Sequence, residues 1–208
     1  MPNFRQIHDN TFDIYDKHAK AWDAHRPRVF FEKGWLERFT SVVPAKSSIL
    51  DVGCGAGEPI AAHLIERGFS VTGVDISPAM IKISRSRIPE MDCIVMDMRD
   101  LALKRKFHGI IGWDSFFHLD PDEQRSTLQL FFRLLHPGGA ILLTVGHKAG
   151  EVLGKVEGEP VYHSSLDPEE YRLIFNLAGF KKVEIAIQDE DCGHHTVLLA
   201  IQRKTRSI

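Results

Sequence analysis

Apolar residues near the N-terminus of this chain recur at helical spacing. Phe12, Tyr15 and Trp22 fall near one face of a helix, and Pro27 interrupts the pattern before a second apolar cluster begins. We therefore predict that residues 1–43 form a helical cap that precedes the rest of the fold.

Beyond the cap, short apolar runs alternate with helical segments. The predicted strands span residues 48–52, 69–74, 93–96, 109–113, 140–145, 183–187 and 197–201. Strand, helix and strand repeated in this way predict an α/β fold, with a doubly wound, mostly parallel sheet and helices on both faces. Only a short loop joins the last two strands, which permits a hairpin, so one of them is expected to run antiparallel at an edge.

Three of the predicted helices begin with the same signal, a capping side chain followed directly by proline. The caps are Ser77, Asp120 and Asp167. Glu123 and Glu170 stand three residues after the two aspartates, where each can complete a capping box.

The most informative segment is the turn after the first predicted strand, residues 51–58, with the sequence DVGCGAGE. Glycines between a strand and a helix let a ligand approach the backbone closely, since no Cβ intervenes. Asp75 ends the next strand, where a carboxylate can accept hydrogen bonds from both hydroxyls of a ribose. Asp97 ends the following strand and is placed to accept from an exocyclic adenine amine.

Charge near this turn separates two classes of cofactor. A dinucleotide site uses G-x-G-x-x-G, so that a pyrophosphate can sit at the helix N-terminus. Here Gly53 and Gly55 fit, but Glu58 takes the third glycine position and Asp51 adds a second carboxylate. Two carboxylates suit a ligand that carries an ammonium and a sulfonium, which favours S-adenosylmethionine over NAD.

The turn and the motifs after it resemble those of class I S-adenosylmethionine-dependent methyltransferases. The matching segments are LDVGCGAG at 50–57, GVDISPAM at 73–80, MDM at 96–98, LLHPGG at 134–139 and AGF at 178–180. Motifs in this order and spacing are far more specific than a lone glycine loop. The resemblance spans residues 45–201, implies a sheet of seven strands with its last hairpin reversed, and leads us to expect one domain over residues 1–208.

The resemblance also implies which residues surround the cofactor. Those expected at the methionine moiety are Asp51, Gly53, Cys54 and Gly55, and Asp75 is expected to bind the ribose hydroxyls. Those expected at the adenine ring are Ile76, Met80, Asp97 and Met98. Those expected to cover the cofactor or to approach its carboxylate are Tyr15, Trp22 and Arg26. Trp113 and Ser115, at the exit of the fourth strand, complete the expected set.

The exit of the fourth strand, residues 112–118, is expected to face the transferred methyl group. Methyl transfer from a sulfonium is an in-line displacement, so the protein mainly aligns the nucleophile, excludes water and, for some substrates, takes a proton. His118 is the best candidate for such a base because of its near-neutral ordinary pKa, with packing or capping of the next helix as the alternative. Asp114 and Ser115 are candidates to hydrogen-bond cofactor or substrate, or to satisfy the end of the strand.

Contacts to the methyl acceptor are expected from the segment between the fifth and sixth strands. Its polar candidates are His147, Tyr162 and His163. The Asn/Asp-Pro-Pro-Tyr motif of enzymes that methylate base amines is missing after the fourth strand, as is the cysteine next to proline that cytosine carbon methylation needs. We therefore expect a small-molecule acceptor.

Composition agrees with this interpretation. A formal net charge of -2 gives no bulk positive field for nucleic acid, and no apolar run approaches the roughly 18 residues of a membrane span. The N-terminus lacks the apolar core of a secretory signal. Three scattered cysteines favour a reducing compartment, so we expect a cytoplasmic protein. Cys192, His194 and His195 match no zinc pattern, and no metal is expected.

Three alternatives stay open. The first is methylation of a protein or of RNA, for which the basic run 104–106 is the densest local patch. The second is a non-catalytic protein that binds the cofactor or its product. The third is a nicotinamide dehydrogenase, which Glu58 disfavours. The pattern does not indicate an oligomeric state.

Overall fold

Two helices precede the sheet in the structure, a computed structural model that describes residues 3–26 and 29–203. Helix α1 spans Phe4–His25 and helix α2 spans Lys33–Val42. The predicted helical character of this segment is confirmed. Pro27, where we predicted the interruption, lies outside the described residues.

Seven strands form one sheet, as the sequence predicts. In chain order they are β1 (Ser48–Val52), β2 (Ser70–Asp75), β3 (Asp92–Val95), β4 (Phe107–Gly112), β5 (Leu135–Val145), β8 (Phe180–Asp189) and β9 (His195–Gln202), with β6 (Gly150–Val156) and β7 (Glu159–Ser165) in a separate hairpin. The spatial order is β3-β2-β1-β4-β5-β9-β8. Strand β9 is antiparallel to β5 and β8, while the pairs among β1 to β5 are parallel. The order therefore changes direction between β1 and β4.

Helices cover both faces of the sheet because successive strand residues point to opposite sides. Helices α3 (Ile60–Glu66), α4 (Pro78–Arg87), α5 (Pro121–Leu134) and α6 (Pro168–Leu177) connect the strands. Ile49 of β1 belongs to the apolar cluster that α2, α3 and α4 cover. Its neighbour Leu50 belongs to the opposite cluster, under α5 and α6.

The three proline-marked helix starts are confirmed. Ser77, Asp120 and Asp167 each accept a hydrogen bond from a backbone N–H of the first helical turn. Glu123 completes the capping box with Asp120. Glu170 does not complete one with Asp167, because its carboxylate instead accepts a hydrogen bond from Arg125, 2.7 Å away.

The separate hairpin pairs β6 (Gly150–Val156) with β7 (Glu159–Ser165) and was not predicted. Its turn residues, Glu157 and Gly158, have φ of 48° and 84°, which is typical of a type I′ turn. Val156 and Val161 of the hairpin pack against Ile14 of α1, so the hairpin and the N-terminal helix support each other. None of the helices in the described ranges is long and apolar enough to cross a membrane.

Candidate active site

A cavity lies at the carboxyl ends of β1, β2 and β4, where the strand order changes direction. Ligands of open α/β sheets bind at such points. Its lining residues are Phe12, Tyr15, Trp22, Gly53, Gly55, Asp75, Ile76, Met80, Met96, Asp97, Met98, Asp114, Ser115 and His118. We call it the cofactor cavity. Most of the residues expected around the cofactor therefore come together in it.

Two glycines after β1 shape one wall of the cofactor cavity. Gly53 has φ of 69°, and a Cβ added there would lie 2.2 Å from the Cβ of Ser115, so no larger residue fits. Gly55 has φ of 53°, and a Cβ added there would meet nothing within 4 Å. The backbone at Gly53 is thus packed against Ser115, whereas the backbone at Gly55 is open, so a ligand can approach it there.

Asp75 connects this turn to the end of β2. Its Oδ2 accepts a hydrogen bond from the Gly55 backbone N–H at 2.8 Å, and its Oδ1 accepts one from the Ser77 N–H at 2.9 Å. Burial raises the pKa of the Asp75 carboxyl above its ordinary value. Each carboxylate oxygen can accept a second hydrogen bond, so Asp75 can hold two ligand hydroxyls.

The charge of the cofactor cavity comes from Asp75, Asp97 and Asp114, and the described lining residues include neither lysine nor arginine. The expectation that Glu58 supplies this charge is wrong. Glu58 does not line the cavity, and its carboxylate lies 3.3 Å from the Arg87 guanidinium. Three carboxylates fit a ligand with a sulfonium and an ammonium, and they would repel a pyrophosphate.

Helix α1 forms the roof of the cofactor cavity with three aromatic side chains. The Tyr15 ring centroid lies 5.4 Å from that of Trp22 and 5.0 Å from that of His118, and Phe12 also lines the cavity. With this roof in place the cavity measures about 80 Å³, whereas small-molecule sites usually measure roughly 300–1,000 Å³. A ligand the size of a nucleoside therefore requires these rings to move.

Acidic residues of α1 attach the roof to helix α4. Asp16 accepts hydrogen bonds from the Ser77 hydroxyl at 2.6 Å and from the Ala79 N–H at 2.9 Å. Asp23 pairs with both terminal nitrogens of Arg87, at 2.7 and 2.6 Å. Because α4 begins directly beside the cavity, the position of α1 is fixed relative to the site.

Four of the residues expected around the cofactor do not line the cavity: Arg26, Asp51, Cys54 and Trp113. Cys54 and Trp113 belong to the core under α2 and α3. Asp51 is buried, and burial raises its pKa to about 7 against the opposing effect of Arg26. Arg26 itself donates hydrogen bonds to the Glu32 carboxylate and to the Glu58 carbonyl.

His118 lines the cofactor cavity, and its two ring nitrogens differ in their hydrogen bonding. Nδ1 lies 2.8 Å from the Tyr162 carbonyl oxygen, which can only accept, so Nδ1 carries the proton. Nε2 is buried and has no hydrogen-bond partner among the described residues. Burial lowers the pKa of His118 to about 3, so the ring is neutral at physiological pH and Nε2 presents a lone pair.

A second cavity of about 550 Å³ lies beside the first, between the ends of β5 and β9 and the β6–β7 hairpin. His147 and His163 line it, but Tyr162 does not, because its ring packs against Phe4 and His8 of α1. The Tyr162 hydroxyl instead donates to Glu151. The His163 and His118 ring centroids are 4.9 Å apart, so these rings lie between the two cavities.

Lining residues that the sequence prediction missed include Phe12, Met96, His194 and His195, whereas Asp114, a candidate to hydrogen-bond cofactor or substrate, does line the cofactor cavity. Phe12 stands one helical turn before Tyr15, and that spacing was a usable signal. His195 was considered only as a metal ligand. In the structure its Nε2 lies 2.9 Å from the Asp114 carboxylate, a contact across 81 positions of sequence that no local pattern reveals.

Within the described part of the chain, one group of side chains brings three atoms of metal-ligand type together: His8, Asp120 and Glu123. Asp120 caps α5, and Glu123 accepts hydrogen bonds from His8 and Arg99. These atoms are therefore already used within the fold.

A family model described as a methyltransferase domain matches residues 49–139. A putative methyltransferase of Bacillus subtilis, YqeM, is 30% identical over 138 residues, which are 64% of this chain and 55% of that protein. The dTDP-3-amino-3,4,6-trideoxy-alpha-D-glucopyranose N,N-dimethyltransferase of Streptomyces venezuelae is 31% identical over 105 residues, 50% of this chain and 44% of that protein. The chain thus matches about half the length of each of these relatives.

Among solved structures, the amino pentose methyltransferase CalS10 of Micromonospora echinaspora, bound to S-adenosylmethionine, superposes with a TM-score of 0.68 at 19% identity. The superposition covers 88% of this chain and 95% of that one. Fold and cavity together define a doubly wound α/β protein with a cavity at the point where its strand order changes direction. The chain is similar to class I S-adenosylmethionine-dependent methyltransferases, in the methyltransferase domain matched over residues 49–139 and in its fold.

Proposed function

We propose that this chain transfers the methyl group of S-adenosylmethionine to a small-molecule acceptor. The observation that carries the proposal is the cofactor cavity, with three carboxylates and an open glycine backbone, directly beside a larger cavity that several histidines line. When bound, the cofactor supplies a methyl group already activated by a sulfonium. The chain's own residues then need only to orient the acceptor and exclude water.

The cofactor is held by residues from three strand ends. Gly53 and Gly55 would leave room for the methionine portion, and Asp75 would accept hydrogen bonds from the ribose hydroxyls. Ile76 and Met80 would enclose the adenine ring, and Asp97 and Met98 would contact its edge. Arg99 pairs with Asp97 through two nitrogens, which fixes the orientation of that carboxylate.

His118 acts near the transferred methyl as a hydrogen-bond acceptor. Its free Nε2 lone pair is buried at the boundary of the two cavities, next to the His163 ring. Because its pKa is low, the ring stays neutral and can receive an N–H or O–H hydrogen bond from an acceptor over the whole physiological pH range.

The acceptor occupies the second cavity, where His147, His163 and His194 supply polar contacts. A volume of about 550 Å³ suits a small molecule. The relative from Streptomyces venezuelae is named for dimethylation of a nucleotide-linked amino sugar, which supports a small polar acceptor. The basic run 104–106 offers little to RNA, since Arg105 already pairs with Asp92 and Thr72.

A transfer assay with S-adenosylmethionine labelled in its methyl group tests the proposal. Incubation with pools of small metabolites should release S-adenosylhomocysteine and move the label into a small product in at least one pool. Cofactor binding with label moving only into protein or RNA would contradict the small-molecule acceptor. Cofactor binding with no transfer to any pool, protein or RNA would favour a non-catalytic binding protein.

A further inference from the structure

Asp114 and His195 form an ion pair on the boundary between the two cavities. Asp114 follows β4 and lines the cofactor cavity, whereas His195 begins β9 and lines the second cavity. Their Oδ1 and Nε2 atoms are 2.9 Å apart. The pair thus joins the cavity proposed for the cofactor to the cavity proposed for the acceptor.

His195 is held in its doubly protonated form by what surrounds it. Nδ1 lies 2.8 Å from the Cys192 carbonyl oxygen, which only accepts hydrogen bonds, and Nε2 faces the Asp114 carboxylate. Both ring nitrogens therefore carry protons when Asp114 is ionised. The hydrogen bond to Asp114 raises the pKa of His195 above its ordinary value.

Two aromatic rings enclose the His195 ring. Phe31 stacks on it with a centroid separation of 5.3 Å, and Trp113 lies 5.6 Å away on a tilted plane. Aromatic faces attract cations. The imidazolium is therefore fixed in place, and it fixes the carboxylate that it faces.

Asp114 keeps one oxygen available. Its backbone has φ of 49° and is held by a hydrogen bond from its N–H to the Thr144 hydroxyl at 2.8 Å. Oδ1 accepts from His195, and no residue in the described ranges donates to Oδ2. The side chain is 31% exposed, so Oδ2 can receive a donor from a bound molecule.

We propose that Asp114, oriented by His195, receives an N–H of the acceptor and that the acceptor is therefore an amine. This inference rests on the proposed methyl transfer. A neutral amine that donates one N–H to Oδ2 keeps its lone pair for the methyl carbon. The new N–C bond forms as the C–S bond breaks, and the electron pair of that bond stays on sulfur. The product ammonium develops its positive charge beside Asp114 and releases its proton to water.

An alcohol acceptor fits this site less well. A hydroxyl group must lose its proton to a base as it attacks. His195 already carries both of its protons, and burial lowers the pKa of His118 to about 3. A carboxylate beside the reacting atom stabilises the growing positive charge of an amine, but it opposes the negative charge of an alkoxide.

Binding of matched probes to the protein saturated with S-adenosylhomocysteine tests the inference. Glucosamine is compared with glucose, and benzylamine with benzyl alcohol, by calorimetry. We expect each amine to bind at least about tenfold more tightly than its alcohol in the wild type. Asp114→Asn should abolish that preference, whereas Asp122→Asn, which changes a surface carboxylate of 94% exposure, should retain it.

The role of His195 is tested by nitrogen NMR and by two variants. Both ring nitrogens should stay protonated to a higher pH in the wild type than in Asp114→Asn. His195→Phe keeps the ring between Phe31 and Trp113 but removes the donor, so the amine preference should fall. His195→Gln, which keeps a donor, should restore part of it.

The outcomes separate the two claims. Absence of S-adenosylhomocysteine binding in the wild type would contradict the proposed function itself. Normal S-adenosylhomocysteine binding with no preference for amines, or with a preference that survives Asp114→Asn, would overturn only the role of Asp114. A neutral His195 ring in the wild-type complex would likewise overturn it.

Discussion

Gly53 and Ser115 approach so closely that a Cβ on Gly53 would lie 2.2 Å from the Cβ of Ser115. Ser115 is fixed there because its hydroxyl donates to the Val52 carbonyl at 2.7 Å. The end of β4 thus packs directly on the turn after β1. The wall of the cofactor cavity depends on this contact.

Gly53→Ala should therefore destabilise the protein by about 1–3 kcal/mol, the usual cost of overpacking a filled site. Gly55→Ala is the matched control, since both glycines have positive φ but only Gly53 meets a neighbour. Urea denaturation should show a larger loss for Gly53→Ala. Gly55→Ala should instead mainly weaken cofactor binding, because its methyl group enters the open cavity. Equal losses of stability would contradict the packing account.

Asp75→Ala should lower the affinity for S-adenosylmethionine by about 1–3 kcal/mol, the usual scale for losing a partner of buried polar groups. Asp167→Ala also removes a carboxylate that accepts a backbone N–H, but Asp167 does not line the cofactor cavity. Calorimetry on both variants separates a local fold effect from ligand contact. If Asp75→Ala binds as tightly as Asp167→Ala, Asp75 does not hold the ribose.

The strand ends could be predicted from the sequence, because the apolar runs stop at glycine or aspartate. Gly53, Asp75 and Asp97 were therefore identified and meet in one cavity. Glu58 was misplaced because the direction of a side chain in a turn depends on partners elsewhere, here Arg87. The β6–β7 hairpin was missed because most of β6 is exposed, glycines interrupt its apolar positions, and its turn is Glu-Gly rather than Asn-Gly.

Cofactor binding should depend on the attachment of the α1 roof. Asp16→Ala removes the acceptor of the Ser77 hydroxyl and the Ala79 N–H, so α1 should exchange its amide hydrogens faster and the affinity for S-adenosylhomocysteine should fall. Asp13→Ala, on the same helix and exposed, is the control. Hydrogen exchange with and without ligand measures both effects. Unchanged protection of α1 in Asp16→Ala would show that the roof is held by other contacts.

Asp51 and His118 should change the free energy of unfolding in opposite directions as pH rises. Burial raises the Asp51 pKa from 3.8 to about 7, so the contribution of Asp51 to the free energy of unfolding falls as pH rises through this range. Burial lowers the His118 pKa from 6.5 to about 3, so the contribution of His118 to the free energy of unfolding rises with pH over nearly the same range. Asp51→Asn should therefore leave a free energy of unfolding that increases with pH more steeply than in the wild type. Urea denaturation at several pH values measures the two slopes, and parallel slopes would show that Asp51 ionises normally.

His118→Ala should slow methyl transfer by about tenfold or more while leaving cofactor affinity nearly unchanged, because it removes an acceptor at the boundary of the cavities. His136→Ala is the control, since His136 lines neither cavity. Turnover and binding are measured on the same preparations. Full turnover in His118→Ala would assign His118 a packing role only.

The most direct test of the account is a parallel calorimetric titration of the wild-type protein with S-adenosylmethionine, S-adenosylhomocysteine and NAD. Three carboxylates and the absence of lysine and arginine from the described cavity lining predict binding of the first two and no heat from NAD. Tight binding of NAD, with no binding of the two sulfur nucleosides, would contradict the cofactor assignment and every site role that depends on it.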